Sequence, residues 1–265
     1  MKTNNTNMSL AEKFQLEVLH EDNHTIVVNK KPSDLVQGDK TGDEPLPERI
    51  KSYLKEMYDE ALSIDPERTV GLSIGTRPDC IDFEKVALLE SYSDRFDVDL
   101  EMGMESIYNE TLHKINRGCS HDDLEKALKL VENSSVDVSV HTIFGFPWES
   151  KEMMLRYADE INRYPQIKFV KLHHLHVVEG SIMGVHYRRE PFKVFTLEEY
   201  TDFLCEFIPL LRPDIVIQRL FGLADQELLI APIWGKGKSS IQTYIDKELE
   251  KRGSIQGSNY QPVFS

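Results

Sequence analysis

Chemistry-bearing side chains gather where four apolar runs stop. VGLSIGTRP (70–78), DVDLEMGMES (97–106), DVSVHTIFGFP (137–147) and KFVKLHHLHVVEG (168–180) each pass from apolar residues into charged, polar or glycine positions. At the end of the first, Arg77 offers a planar fork for a carboxylate or phosphate, or pairs with Asp79 to stiffen a loop. Glu101 and Glu105 flank Gly103, where a carboxylate accepts from a ribose diol or an ammonium, or faces solvent. The third run carries His141, and its end carries Gly145, Phe146, Pro147, Trp148 and Glu149. Gly145 lets a flat ligand approach the backbone, Pro147 fixes the turn, and Trp148 stacks on a base or covers a barrel mouth. On the fourth, strand alternation puts His174 and His176 on one face and His173 on the other. With His141 they suggest an H-x-H metal site, set against the alternative of packed core histidines.

Such residues need a scaffold, and the runs between them read as helices. Strand starts recur about every 30–40 residues, the spacing of right-handed βαβ crossovers. Helices are expected near 82–91, 106–115, 121–132, 150–163, 196–211 and 240–251, with a further strand at 214–222. Ser120-x-x-Asp123 and Thr196-x-x-Glu199 match the capping box. Chemistry in βα folds sits at the C-terminal strand ends. Four or five strands fall short of the roughly eight that close a barrel, which predicts α/β architecture with an open half-barrel and outer helices.

Upstream, residues 1–13 read as a disordered leader. FQLEVLH and TIVVNK around EDNH read as a β-hairpin with Phe14, Leu16 and Val18 on one face. Residues 32–46 are a polar loop, and a helix opens at Pro47-Glu48 and runs to 62. The organisation expected is a fragment over 14–56, a barrel portion over 57–256 and a loose tail over 257–265. With two barrel strands missing from the expected series, the edge of the 69–75 strand requires a cover, either the hairpin or a second copy of the chain.

The 265 residues carry a net charge of −14, which disfavours broad adhesion to nucleic acid while leaving room for a local basic groove. No run of about 18 uncharged apolar residues predicts a membrane span, and a cytoplasmic setting is expected. Cys80, Cys119 and Cys205 lie far apart with no CxxC, so they read as free thiols rather than a metal or cluster site.

Taken together, GLSIGTRPDCI, DLEMGMESI, INRGCSHDD, VHTIFGFPWES, HHLHVVEGS and IVIQRLFG resemble the bacterial radical S-adenosylmethionine (SAM) proteins of the YhcC type, relatives of the Elongator catalytic subunit. The resemblance spans about 54–256. It implies a partial (β/α)₆ barrel with SAM and a [4Fe–4S] cluster at the strand C-termini, and a small-molecule or RNA substrate. By this resemblance Glu101 meets the SAM ribose. Glu105 and Ser106 stand where the family has Gln-Ser. Ile143 and Gly145 lie near the adenine, and Leu175, His176 and Val177 flank it. Arg77 and Arg117 match family arginines to which the resemblance assigns no role, and His141 joins them as a cofactor-binding candidate. The CxxxCxxC and GGE-type motifs of the family do not occur, which implies no cluster and no catalysis by this chain alone. Residues 16–56 resemble the opening of an RluA-type pseudouridine synthase, without its catalytic HRLDxxTSG segment. A histidine-based metal hydrolase and a non-enzymatic SAM- or RNA-binding module remain as alternatives.

Overall fold

The computed structural model describes residues 9–21, 26–31, 44–65 and 67–262. The chain divides into two compact units, residues 1–75 and 76–265.

The first unit begins with a short helix, α1 (Leu10–Lys13), where sequence predicted a disordered leader. Ser9 and Glu12 form a reciprocal capping box, and Leu10, Ala11 and Phe14 pack on a cluster of Leu16, Leu46 and Tyr53. Two cap bonds and an apolar face are enough to order the turn. The hairpin is real but shorter than expected: β1 (Val18–Glu21) pairs antiparallel with β2 (Ile26–Val28), and Phe14 to Glu17 precede it. The expected EDNH turn and the 32–43 loop lie outside the described residues, apart from Glu21. Helix α2 (Leu46–Ser63) follows with Pro47 in its first turn and buries Leu46, Tyr53 and Leu62. Strand β3 (Gly71–Thr76) carries the chain toward the second unit. Strands β1 and β2 form a separate two-stranded sheet, so of the two expected covers for the β3 edge the hairpin does not pair with it.

In the second unit a 3₁₀ turn (Pro78–Cys80) leads to α3 (Phe83–Glu90), capped by Asp82. Strand β4 (Asp97–Glu105) is followed by α4 (Asn109–Lys114) and α5 (His121–Val131). Strand β5 (Asp137–Phe144) leads to α6 (Lys151–Leu155) and α7 (Tyr157–Arg163), and β6 (Ile167–His174) comes next. Helix α9 (Leu197–Phe207) precedes β8 (Val216–Arg219) and α10 (Lys238–Arg252) ends the series. Strands β4, β5, β6 and β8 lie side by side in that order, all parallel and each joined to the next through helix. Both capping boxes read from sequence are formed.

Alternation gives this sheet two different faces. Leu100, Met102, Val138, Val140, Phe144, Val170 and Leu172 are fully buried beneath the helices. Phe144 packs its ring 4.7 Å from Phe203 and 4.9 Å from Phe207, fixing α9 to the sheet. The opposite face carries Glu101, His141, Lys171 and His173, all half-buried.

The fourth run does not continue to 180 as one strand. Strand β6 stops at His174, and Val177–Val178 form a separate strand, β7, paired antiparallel with β9 (Leu229–Ala231). Helix α8 (Ile182–Arg189), unpredicted, follows it with Ser181 as its cap. The start of the tail is docked rather than loose, as far as Asn259. Gln256 donates to the carbonyls of Arg212 (2.8 Å) and Ile215 (2.7 Å), and the Asn259 amide donates to Pro209 at 3.0 Å.

Candidate active site at the strand ends

The polar face converges on Glu101. Its carboxylate accepts from Lys171 Nζ, two strands away on β6, and meets His141 Nε2 at 3.0 Å on the strand between. One layer earlier Ser139 donates to Asp99 at 2.9 Å. His173 stacks on His141 with centroids 5.7 Å apart and planes 16° from parallel. Burial of both rings, reinforced for His173 by His141 and Arg219, holds His141 below the ordinary imidazole range and His173 down at about 4. Both are therefore neutral at pH 7, and each offers one donor and one acceptor. His173 Nε2 is buried without a partner.

Above this layer the backbone bends. Gly103 pairs with His141 and Glu105 with Thr142, so Met104 sits in a bulge, and Glu105 takes a left-handed φ of 54°. Glu105 pairs with Arg117 at 3.3 Å, and the pair lies directly over Gly103. A Cβ there would fall 2.3 Å from Arg117 Nη2 and 2.4 Å from Glu105 Oε1. Burial pushes the Glu105 carboxyl up, and Arg117 offsets part of that rise. Arg117 Nε is buried without a partner.

Other expected site residues are committed elsewhere. Arg77 is held in a two-pronged pair with Asp79, at 3.0 and 2.6 Å, which is the loop-stiffening alternative. Ser106 is fully buried and donates to Glu149 at 2.7 Å, so it is not open to a ligand. Thr111 and Tyr157 donate to the same carboxylate, each at 2.6 Å, and Trp148 donates to Thr111 at 2.8 Å. Trp148 thus covers a polar core. Ile143 lies on the polar face. Gly145, at φ 99°, opens onto a cleft of about 410 Å³ with Phe146 and Phe195 in its wall. Leu175 and His176 lie in the turn after β6 rather than on a strand, and Val177 is fully buried in β7.

The hydrolase grouping does not form. His174 turns to the helical side, 3% exposed, with Trp234 stacked at 4.0 Å and His176 at 4.2 Å, whereas His141 faces the polar side. The side-chain alternation that pairs His141 with His173 excludes His174. Among the described residues the one group of three clustered potential metal ligands is His121, Glu125 and Glu160. Sequence reasoning missed Lys171 and the Glu149 hub. Lys171 had a signal, a charge in mid-strand between Val170 and Leu172; Glu149 had none beyond its place after Trp148.

Comparison with known proteins supplies the class. The radical SAM superfamily profile matches residues 34–161 and that of the radical SAM C-terminal domain matches 167–251. The chain belongs to the radical SAM superfamily, and its resemblance to YhcC-type proteins holds. It is 33% identical over 209 residues to the uncharacterized protein MJ0486 of Methanocaldococcus jannaschii, and 32% over 206 to protein YhcC of Escherichia coli K12. These alignments cover 78% and 77% of this chain but 64% and 65% of the relatives, so the chain spans just under two thirds of their length. The archaeal Elp3 of Methanocaldococcus infernus superposes with a TM-score of 0.60 at 27% identity, over 71% of this chain and 43% of Elp3. The half-barrel expectation agrees with that likeness. Residues 34–56, read as part of a pseudouridine synthase opening, fall inside the radical SAM match.

The family implies SAM and a [4Fe–4S] cluster, and the residues present fit the two differently. A cluster requires gathered thiolates. Cys80 is exposed at the end of the 3₁₀ turn, Cys119 is half-buried before α5, and Cys205 is buried within α9. None belongs to the one ligand cluster among the described residues. The polar face suits a polar nucleoside better, since His173 Nε2 and Arg117 Nε are buried there with unmet hydrogen-bonding capacity.

Proposed function

We propose that this chain supplies the SAM-facing wall of a radical SAM barrel and does not by itself cleave SAM reductively. The observation that carries the reading is the Glu101 carboxylate, held between Lys171 and His141 on the polar face while the three cysteines lie dispersed. Glu101 would accept from the ribose hydroxyls, and Lys171 would hold that carboxylate aimed. Neutral His141 and His173 form a stacked floor able to donate or accept, and Arg117, anchored by Glu105, closes the rim with its positive charge. In the family, SAM beside an iron–sulfur cluster supplies one-electron reductive chemistry. The thiolates for such a cluster are not gathered by these residues.

A cytoplasmic setting suits three unpaired thiols. No helix among the described residues is long and apolar enough to cross a membrane. The substrate side is RNA or a small metabolite. A relative 30% identical over 189 residues, the tRNA uridine(34) acetyltransferase of Methanocaldococcus infernus, supports RNA, while the charge of −14 confines any such contact to a local groove. A homo-oligomer formed through the β3 edge remains part of this proposal.

The test is calorimetric titration with SAM, alongside anaerobic reconstitution with iron and sulfide. SAM binding that is lost in Glu101→Gln, with no 5′-deoxyadenosine formed, supports the reading. Absorbance of a bound cluster with 5′-deoxyadenosine release overturns the catalytic part. Absence of SAM binding overturns the whole.

A further inference from the structure

Beyond the polar face, the second unit holds a cavity of about 270 Å³ between the end of β6 and the segment joining β8 to α10. Its polar lining is short: His174, His176, Gln226 and Lys236. Pro232, Leu229 and Ile241 supply apolar walls, and Trp234 supplies a ring already stacked on His174. Leu223 and Ile233 line it while 56% and 75% exposed, leaving apolar area open at the cavity.

The histidines make this more than a packing defect. His174 is 97% buried by its 3% exposure, yet its Nδ1 has no partner. His176 has no hydrogen-bond partner among the described residues. The backbone comes close to His176: a Cβ on Gly222 would lie 3.1 Å from its Cε1. Buried polar atoms left unmet cost the fold, and a ligand or water that meets them removes that cost.

We infer that this cavity is a nucleobase seat, receiving a flat uncharged nitrogen heterocycle between the Trp234–His174 stack and the apolar wall. The chemistry selects this class. Burial holds the imidazole of His174 at about 2 and that of His176 below its usual range, so both are neutral donor–acceptor groups. An ammonium ligand would need a carboxylate, and none lines the cavity. An anion would rely on Lys236 alone, at the rim. The edge of a base presents donors and acceptors in the alternation that two neutral imidazoles and Gln226 can meet, and its faces accept stacking. The volume falls just below the roughly 300–1,000 Å³ of drug-sized sites, as suits one heterocycle. The inference does not depend on the SAM reading, since a different ligand tests it.

The experiment is titration of the intact chain with uridine and with adenosine, read by calorimetry and tryptophan fluorescence. Saturable binding is expected. His176→Ala should weaken it about tenfold, the scale of one hydrogen bond, and His176→Gln, which keeps a donor and an acceptor, should restore most of it. Ala224→Phe, which fills the cavity from its wall, should abolish it. A uridine trinucleotide binding more tightly than uridine assigns the base to an RNA strand, and equal affinity assigns it to a free nucleoside. No saturation by about 10 mM nucleoside, or unchanged affinity in Ala224→Phe, overturns the inference. Displacement by inorganic phosphate also overturns it, in favour of an anion site. So does displacement by SAM, which would make the cavity the cofactor's own adenine seat.

Discussion

Lys171 on β6 reaches over the intervening strand to the Glu101 carboxylate on β4. With 13% and 22% of their side chains exposed, the two form a largely desolvated pair in the centre of the polar face. Breaking such a pair from one side leaves a charge without its partner, whereas removing both leaves a smaller deficit. The pair therefore fixes the orientation of Glu101 more than it stabilises the fold.

The first prediction concerns that coupling. Lys171→Met should destabilise the protein by about 1–3 kcal/mol, and Glu101→Gln combined with it should recover part of the loss. A double-mutant cycle by urea denaturation measures this. Additive effects of the two substitutions would show that the charges do not interact.

A second prediction follows from Glu105, whose folded pKa burial raises despite Arg117. A raised carboxyl favours folding when protonated. Its contribution is present below the unfolded pKa and is lost as pH rises through the folded one. Glu105→Gln removes this dependence, so the difference in Tm between variant and wild type should shift in the variant's favour as pH increases from 4, then level off. Thermal denaturation across pH 4–8 checks the sign; a difference independent of pH would place the carboxylate in solvent.

The histidines predict the opposite behaviour in acid. His173, at about 4, and His174, at about 2, both stay neutral in the fold although an unfolded imidazole titrates near 6.5. The stability they contribute is present above pH 6.5 and is lost as pH falls through the folded values. His174→Phe keeps a ring against Trp234 and removes one proton uptake, so its acid unfolding midpoint, followed by circular dichroism, should move to lower pH. A midpoint equal to the wild type's would mean that the His174 ring is already hydrated.

What could be read from the chain divides along physical lines. The βα series, the helix at 46–63 and both capping boxes depend on local pattern, and they appeared where the pattern put them. The site depended on facts that alternation alone does not contain. His174 and His176 looked like strand neighbours because the apolar run continues through Val177 and Val178; their rings do lie 4.2 Å apart, but across the turn after β6. The strand in fact ends at His174, and those valines leave to pair with β9. Ser106 looked available because nothing near it in sequence shows that Glu149, 43 positions on, will accept its hydroxyl. The tail reads as loose, yet the Asn259 amide donates to Pro209, and just before it Gln256 donates to the carbonyls of Arg212 and Ile215. Long-range hydrogen bonds were the illegible part.

Glu149 yields the last prediction. Its carboxylate is 7% exposed and accepts from Ser106, Thr111 and Tyr157, joining the end of β4, helix α4 and helix α7 to the loop after β5. Tyr157 is fully buried, and burial beside Glu149 pushes its phenol far up, so it acts only as a donor. Tyr157→Phe removes one donor and leaves two, and should cost about 1–2 kcal/mol. Glu149→Ala orphans three hydroxyls and opens a hole, so its cost should exceed about 3 kcal/mol and surpass that of Tyr157→Phe in the same background. Urea denaturation of both variants ranks them. Should Glu149→Ala prove no worse than Tyr157→Phe, the hydroxyls must repair one another and the carboxylate is not the hub. If the ranking holds, SAM titration of Tyr157→Phe should remain close to wild type, because this network supports the strand ends from behind the polar face that Glu101 occupies.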